Sequence, residues 1–201
     1  VTLKSIHLFA SDPAPEAEVP PGPCVVGVDL SLSATGLASS MGWCQVIGYE
    51  DKKNPITKLP HGVRLVHMRR VLDAVTEAIG RPDLAVIEAA ALSRSGGGAH
   101  ERGWLWWRVF ERLTDAGIPI GLLSPNQRIL YATGKGSGPK TAVVDAVARR
   151  WPQWQTGGND NAADAVTLMA SGRDWLLAPI TDMPKAHRAA VEKATWPEVK
   201  Q

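Results

Sequence analysis

A change of period along the chain constrains the fold more than any other feature. Up to about residue 50 the apolar residues come in short runs, "CVVGVDL", "TGLASSMG" and "WCQVIGYE", separated by gaps that leave room only for tight turns. Beyond Leu59 the spacing lengthens: Val63, Val66, Val71, Val75 and Ile79 recur near every 3.6 residues and stop at Gly80, with Pro82 just beyond. Strand-like and helix-like segments then alternate: "DLAVIEA", "WLWWRVFERLTDAG" with Leu105, Val109, Phe110 and Leu113 on its apolar side, and "IPIGLLS". Strands joined by tight turns pair antiparallel, whereas strands separated by a helix pair parallel. The expected fold is therefore α/β, a mixed five-stranded sheet flanked by helices.

Three more helices are expected after the last strand. Pro125 opens a short one ending near Gly134, "GPKTAVVDAVARRW" a second, and "GGNDNAADAVTLMASG" a closely packing one with Asp160 near its start. A last helix is expected from Asp182, with Pro184 in its first turn. A chain of 201 residues suits one domain, here 24–178, behind a proline-rich extension (1–23) and before a tail (179–201) that can be helical. No apolar run approaches a membrane span, and the first residues do not form a secretory signal, so a cytoplasmic protein with no membrane partner is expected. Cys24 and Cys44 form no CxxC and stand near no histidine at ligand spacing, which argues against a disulfide framework and a structural zinc.

Two of the apolar runs close on a carboxylate, Asp29 and Glu88. A charge at the end of a buried strand needs a partner, and in α/β sheets the functional crevice lies beyond the carboxyl ends of the parallel strands. If these strands are neighbours, both acids meet there. In "NDNAADA" Asp160, Asn161 and Asp164 are three and four residues apart, so a helix projects all three to one side. Taken singly, Asp160 reads as a helix cap and Asp164 as a first-turn acid. Taken with Asp29 and Glu88 they make an all-oxygen donor set that suits Mg²⁺ or Mn²⁺ and not zinc. A pair of such ions is the arrangement that clamps the attacking and departing oxygens of a phosphodiester. Between Ser124 and Trp151, Arg128, Lys135, Lys140, Arg149 and Arg150 face one acid, Asp145, which can make a phosphate-binding face.

The motifs "VVGVDLSLSATG", "LAVIEAA", "SPNQRILYATGKGSGPK" and "NDNAADAVTLMA", in this order over residues 24 to 172, resemble the RuvC-like Holliday junction resolvases, which have an RNase H-like fold. The resemblance implies a structure-selective endonuclease that resolves branched DNA with two metal ions in each active site. It implies Asp29, Glu88 and Asp164 as metal ligands, and Lys140 as a lysine near the scissile phosphate. The chain departs from the family pattern in three places. Asn161 stands where the family has an acid, so Asp160 is expected to supply the fourth carboxylate, with Asn161 behind it. Ala91 replaces an aromatic that opens the junction, which fits phage-type relatives accepting forks and other branched DNA. Ile129 and Leu130 replace a basic residue, for which Arg128 can stand in; Arg128, Lys135 and Lys140 are the expected nucleic-acid contacts. The family is homodimeric through the helix after the middle glutamate, here "GWLWWRVFERL" (103–113), whose Trp104, Trp106 and Trp107 cannot all face one core.

Other readings carry less. "GKGSGPKT" fails as a phosphate loop because Pro139 removes a backbone donor just before Lys140. An actin- or hexokinase-like ATPase shares a first strand ending in Asp but needs a second such domain, and the Asn161 substitution would also fit an inert branched-DNA binder. The histidines are scattered, and His61 and His67 read as surface or packing residues. "SRSGGGAHERG" reads as a mobile segment beside the substrate.

Overall fold

The computed structural model describes residues 19, 21–51, 53–90 and 98–198, with the Lys140 side chain outside that set. Most of the proline-rich lead, Ala91 and Arg94 also lie outside the described residues, and so does most of the glycine-rich stretch. The elements are β1 (Val25–Asp29), β2 (Thr35–Ser39), β3 (Trp43–Ile47), α1 (His61–Ile79), β4 (Leu84–Glu88), α2 (Ala99–Asp115), β5 (Ile120–Leu123), α3 (Pro125–Thr133), α4 (Lys140–Arg150), α5 (Asp160–Trp175) and α6 (Lys185–Glu192). The five strands form one sheet in the order β3-β2-β1-β4-β5. β2 is antiparallel to both β1 and β3, while β1 pairs parallel with β4 and β4 with β5. The mixed sheet expected from the period change is the one observed.

Strand alternation sorts the side chains into two cores. Val25, Leu84, Val86 and Leu123 face a layer built from α3, α4, α5 and α6. Val26, Val28, Ala85 and Ile87 face α1 and α2 on the other side. The buried stripe of α1 is His67, Met68, Val71, Leu72, Val75 and Ile79, not the valine series alone. Val66 is 38% exposed, because Met68 and Leu72 complete a better i, i+4 row with Val75. His67 is a packing residue, set edge-on to Tyr49 at 4.8 Å, with burial and then Arg70 lowering its pKa.

α5 lies almost in contact with the sheet backbone because three glycines make room. A Cβ at Gly27 would sit 2.1 Å from the Ala165 carbonyl oxygen, and one at Gly36 would sit 2.0 Å from that of Asn161. A Cβ at Gly172, on α5 itself, would come 2.6 Å from Val86. Alanines 162, 163 and 165 complete the thin interface. The helix is capped by Asn159, whose side chain accepts from Ala162 N at 3.0 Å, so Asp160 is the first helical residue and not the cap.

The chain after 178 packs on this same layer. α6 begins at Lys185 after Pro184, one residue later than a first-turn proline would place it. Thr195 forms a two-bond bridge with Leu122, covering the open edge of β5. Trp196 stacks on Trp175 at 4.8 Å, and Gln127 Nε2 donates to the Lys193 carbonyl. Before β1, Arg173 Nη2 donates to the Pro21 carbonyl at 3.0 Å.

Candidate active site

Parity decides where the strand-end acids point. Asp29 is two residues beyond Gly27, and Glu88 two beyond Val86, so both carboxylates fall on the α5 side of the sheet. β1 and β4 are adjacent and pair Val28 with Ile87, which puts the two acids side by side at the carboxyl ends of parallel strands. The third contribution comes from above. Gly36 pairs with Asp29 and lies directly under Asn161, so the first turn of α5 is held over the same spot. Asp160 and Asp164 therefore enter the centre from a helix seated by a glycine.

Asp29 registers this convergence. Its pKa is pushed up to about 7, first by burial and then by the charges of Glu88 and Asp164, with a smaller contribution from Asp160. Hydroxylated residues that follow Asp29 close the turn. Ser31 N donates to Thr35 Oγ1 at 3.0 Å, and Thr35 Oγ1 donates back to the Ser31 carbonyl.

Arg128 is the residue whose placement the sequence did not disclose. It projects from α3 into the acidic centre, where Nε donates to Glu88 Oε2 and Nη1 to Asp164 Oδ1. Only about a tenth of its side chain is exposed. Burial works to discharge the guanidinium, but Glu88 and Asp164 outweigh it and keep the group charged. The local signal lies in "SPNQR". Ser124 and Gln127 form a reciprocal capping box that starts α3 directly after β5, so a residue one turn in can reach back over the sheet end. Arg128 was expected at the DNA surface; in this structure it is an internal partner of two carboxylates. Among the described residues, no three Asp, Glu, His or Cys stand as a ready metal-binding group.

The other expected residues are dispersed. Lys135 is exposed in the turn after α3, while Lys140 is the first residue of α4. Asn161 is half-buried in the first turn of α5, where its backbone overlies Gly36. Trp106 steadies the end of β4, its Nε1 donating to the Glu88 carbonyl at 3.0 Å. Trp107 is 64% exposed and touches Trp106 and Phe110 edge-on. An open groove of about 650 Å³ is lined by Ser31, Ser33, Tyr49, Arg102 and Asn159, and none of Asp29, Glu88, Asp160 and Asp164 is on its walls. A second groove of about 720 Å³ lies between α3, α4 and α6, with Lys135, Arg149, Arg150 and His187 on its walls.

A five-stranded mixed sheet in this order, with carboxylates from β1, β4 and the helix crossing both, defines an RNase H-like α/β domain. Within that class the chain is similar to RuvC proteins, spanning less than two thirds of the length of the curated relative it matches. Over 107 residues it is 31% identical to the crossover junction endodeoxyribonuclease RuvC of Ruegeria pomeroyi, a match covering 53% of this chain and 64% of that relative. The fold matches Thermus thermophilus RuvC in complex with a Holliday junction substrate, with a TM-score of 0.55, 19% identity, and coverage of 87% of this chain and 99% of that one. It also matches a second Thermus thermophilus RuvC structure with a TM-score of 0.51 at 20% identity, covering 86% and 99% of the two chains. No protein-family profile matches the chain. Among the described residues, no helix is long and apolar enough to cross a membrane.

Proposed function

We propose that this protein is a divalent-metal-dependent endonuclease that cuts Holliday junctions and other branched DNA. The catalytic domain runs over residues 24–178. The observation that carries the reading is the convergence of Asp29, Glu88 and Asp164, with Asp160, from three separate elements onto one end of the sheet, where burial and then the charges of Glu88 and Asp164 raise the Asp29 pKa. An arrangement that sets several carboxylates against one another on a largely buried floor makes sense as a receptor for positive charge.

The donor set fits hard divalent cations, being all oxygen. Asp29, Glu88 and Asp164 would hold them, with Asp160 as the fourth carboxylate, and Mg²⁺ or Mn²⁺ as a pair in each site is the proposed complement. When bound, such ions supply activation of water and neutralisation of the charge on the departing oxygen. The chain's own residues do the rest. β1 and β4 hold Asp29 and Glu88 at fixed register, and the Trp106 bond to the Glu88 carbonyl keeps the strand end from fraying. The groove lined by Ser31, Tyr49 and Arg102 would take a DNA strand, and Lys135 and Lys140 would meet its phosphates. Exposed Trp107, on the helix containing residues 103–113, supports a homodimer through that face, which would put two centres on two strands.

The test is cleavage of labelled synthetic four-way junctions, forks and linear duplex in Mg²⁺ or Mn²⁺. Metal-dependent nicking of the branched forms, lost in Asp29→Asn, is expected. Binding without cutting in either metal, or undiminished cutting by Asp29→Asn, refutes the reading, and a monomeric sedimentation coefficient for the active protein refutes the dimer.

A further inference from the structure

We propose that Arg128 is a built-in counter-ion of the acidic centre, occupying Glu88 and Asp164 until a divalent cation displaces its guanidinium. This rests on the reading above that these carboxylates bind metal.

One guanidinium satisfies carboxylates from two different layers, Glu88 from the sheet and Asp164 from α5. Its planar fork suits a bridge between two oxygens that a compact ammonium could not span in the same way. Without a cation between them, Asp29, Glu88 and Asp164 repel, and the repulsion acts on the seating of α5 against β1 and β4. Arg128 relieves it from within the chain. The oxygens it engages belong to the same carboxylates that would ligate metal, so a guanidinium and a divalent ion compete for them, and two cations in so small a space repel.

The backbone beneath Arg128 gives no sign of moving with it. α3 is closed at its start by the Ser124–Gln127 capping box. Its next turn is held by Tyr131, whose hydroxyl donates to the Ala170 carbonyl at 3.2 Å and which stacks on Trp151 at 6.1 Å. Exchange therefore falls to the side-chain torsions of Arg128, a local motion that leaves the fold intact. Metal entry is then linked to release of the arginine, which becomes available to the phosphates of a bound strand only once metal is in place.

The test measures Mn²⁺ binding to the full chain without DNA, by titration calorimetry, for wild type, Arg128→Gln and Arg128→Lys, with thermal melts in EDTA and in Mn²⁺. Arg128→Gln is expected to bind Mn²⁺ at least tenfold more tightly than wild type, to melt lower in EDTA, and to gain more from added Mn²⁺. Arg128→Lys, which keeps the charge but not the fork, is expected to bind severalfold more tightly and serves alone if the glutamine variant does not fold. Equal or weaker Mn²⁺ affinity in the variants overturns the proposal and leaves the metal reading standing. Absence of Mn²⁺ binding in wild type and variants alike overturns both.

Discussion

Gly36→Ala tests whether the seating of α5 builds the active site. The added Cβ would sit 2.0 Å from the Asn161 carbonyl oxygen and 2.4 Å from its carbonyl carbon, both backbone atoms that cannot rotate away. A carbon rests against a carbonyl oxygen at about 3.3 Å or more, so the first turn of α5 must lift by roughly 1 Å. Overpacking of this kind costs about 1–3 kcal/mol, or roughly 3–10 °C in melting temperature for a chain of this size. The lift also carries Asp160 and Asp164 away from Asp29, and a misplacement near 1 Å can lower a catalytic rate by about a hundredfold. Gly103→Ala is the matched control, since no described residue lies within 4 Å of the added methyl on α2. There the lost glycine entropy should raise stability by about 0.5–1 kcal/mol. Melting by circular dichroism and junction cleavage would be read on both variants. A Gly36→Ala protein that melts within a degree of wild type and cuts at the wild-type rate would refute the reasoning.

Two further predictions concern stability. Because the folded pKa of Asp29 is raised from 3.8 to about 7, its contribution is most favourable at low pH and is lost as pH rises through 7. In EDTA, Asp29→Asn should therefore be more stable than wild type at pH 8, by up to about 4 kcal/mol on the scale of 1.36 per unit. The gap should narrow towards pH 5, and urea melts at the two pH values check the sign. Trp196→Ala should lose about 2–3 kcal/mol, since its ring stacks on Trp175 at 4.8 Å and fills the space over Gly121. A change under about 0.5 kcal/mol in urea melts would show that the tail contributes little to the fold.

Element order was legible because periodicity is local. Runs such as "CVVGVDL" and "DLAVIEA" announce strands, and the spacing from Val71 to Ile79 announces a helix, whatever surrounds them. The strand-end acids were legible for the same reason, a carboxylate closing an apolar run being visible without a fold. The helix faces were read less well. Val66 belongs to a plausible stripe but turns outward, because Met68 and Leu72 fill the α1–α2 core better. The cap of α5 shifted by one residue, to Asn159, because two adjacent residues can each cap and the geometry of the preceding turn chose between them.

The sequence by itself determined which donor atoms the chain sets at its strand and helix ends: short strands ending in acids, a small-residue helix bearing two more, and no CxxC or histidine at ligand spacing. Only the tertiary structure decided which charge balances those acids. Arg128 is forty residues from Glu88 in the chain, and the "SPNQR" capping box that starts its helix does not say which carboxylates it will meet. Its place follows from the docking of α3 over the sheet end, and docking is set by the long-range burial of Tyr131 and Ala132. Periodicity reports the face an element will hide, whereas the neighbour it hides against depends on contacts between segments far apart in the chain.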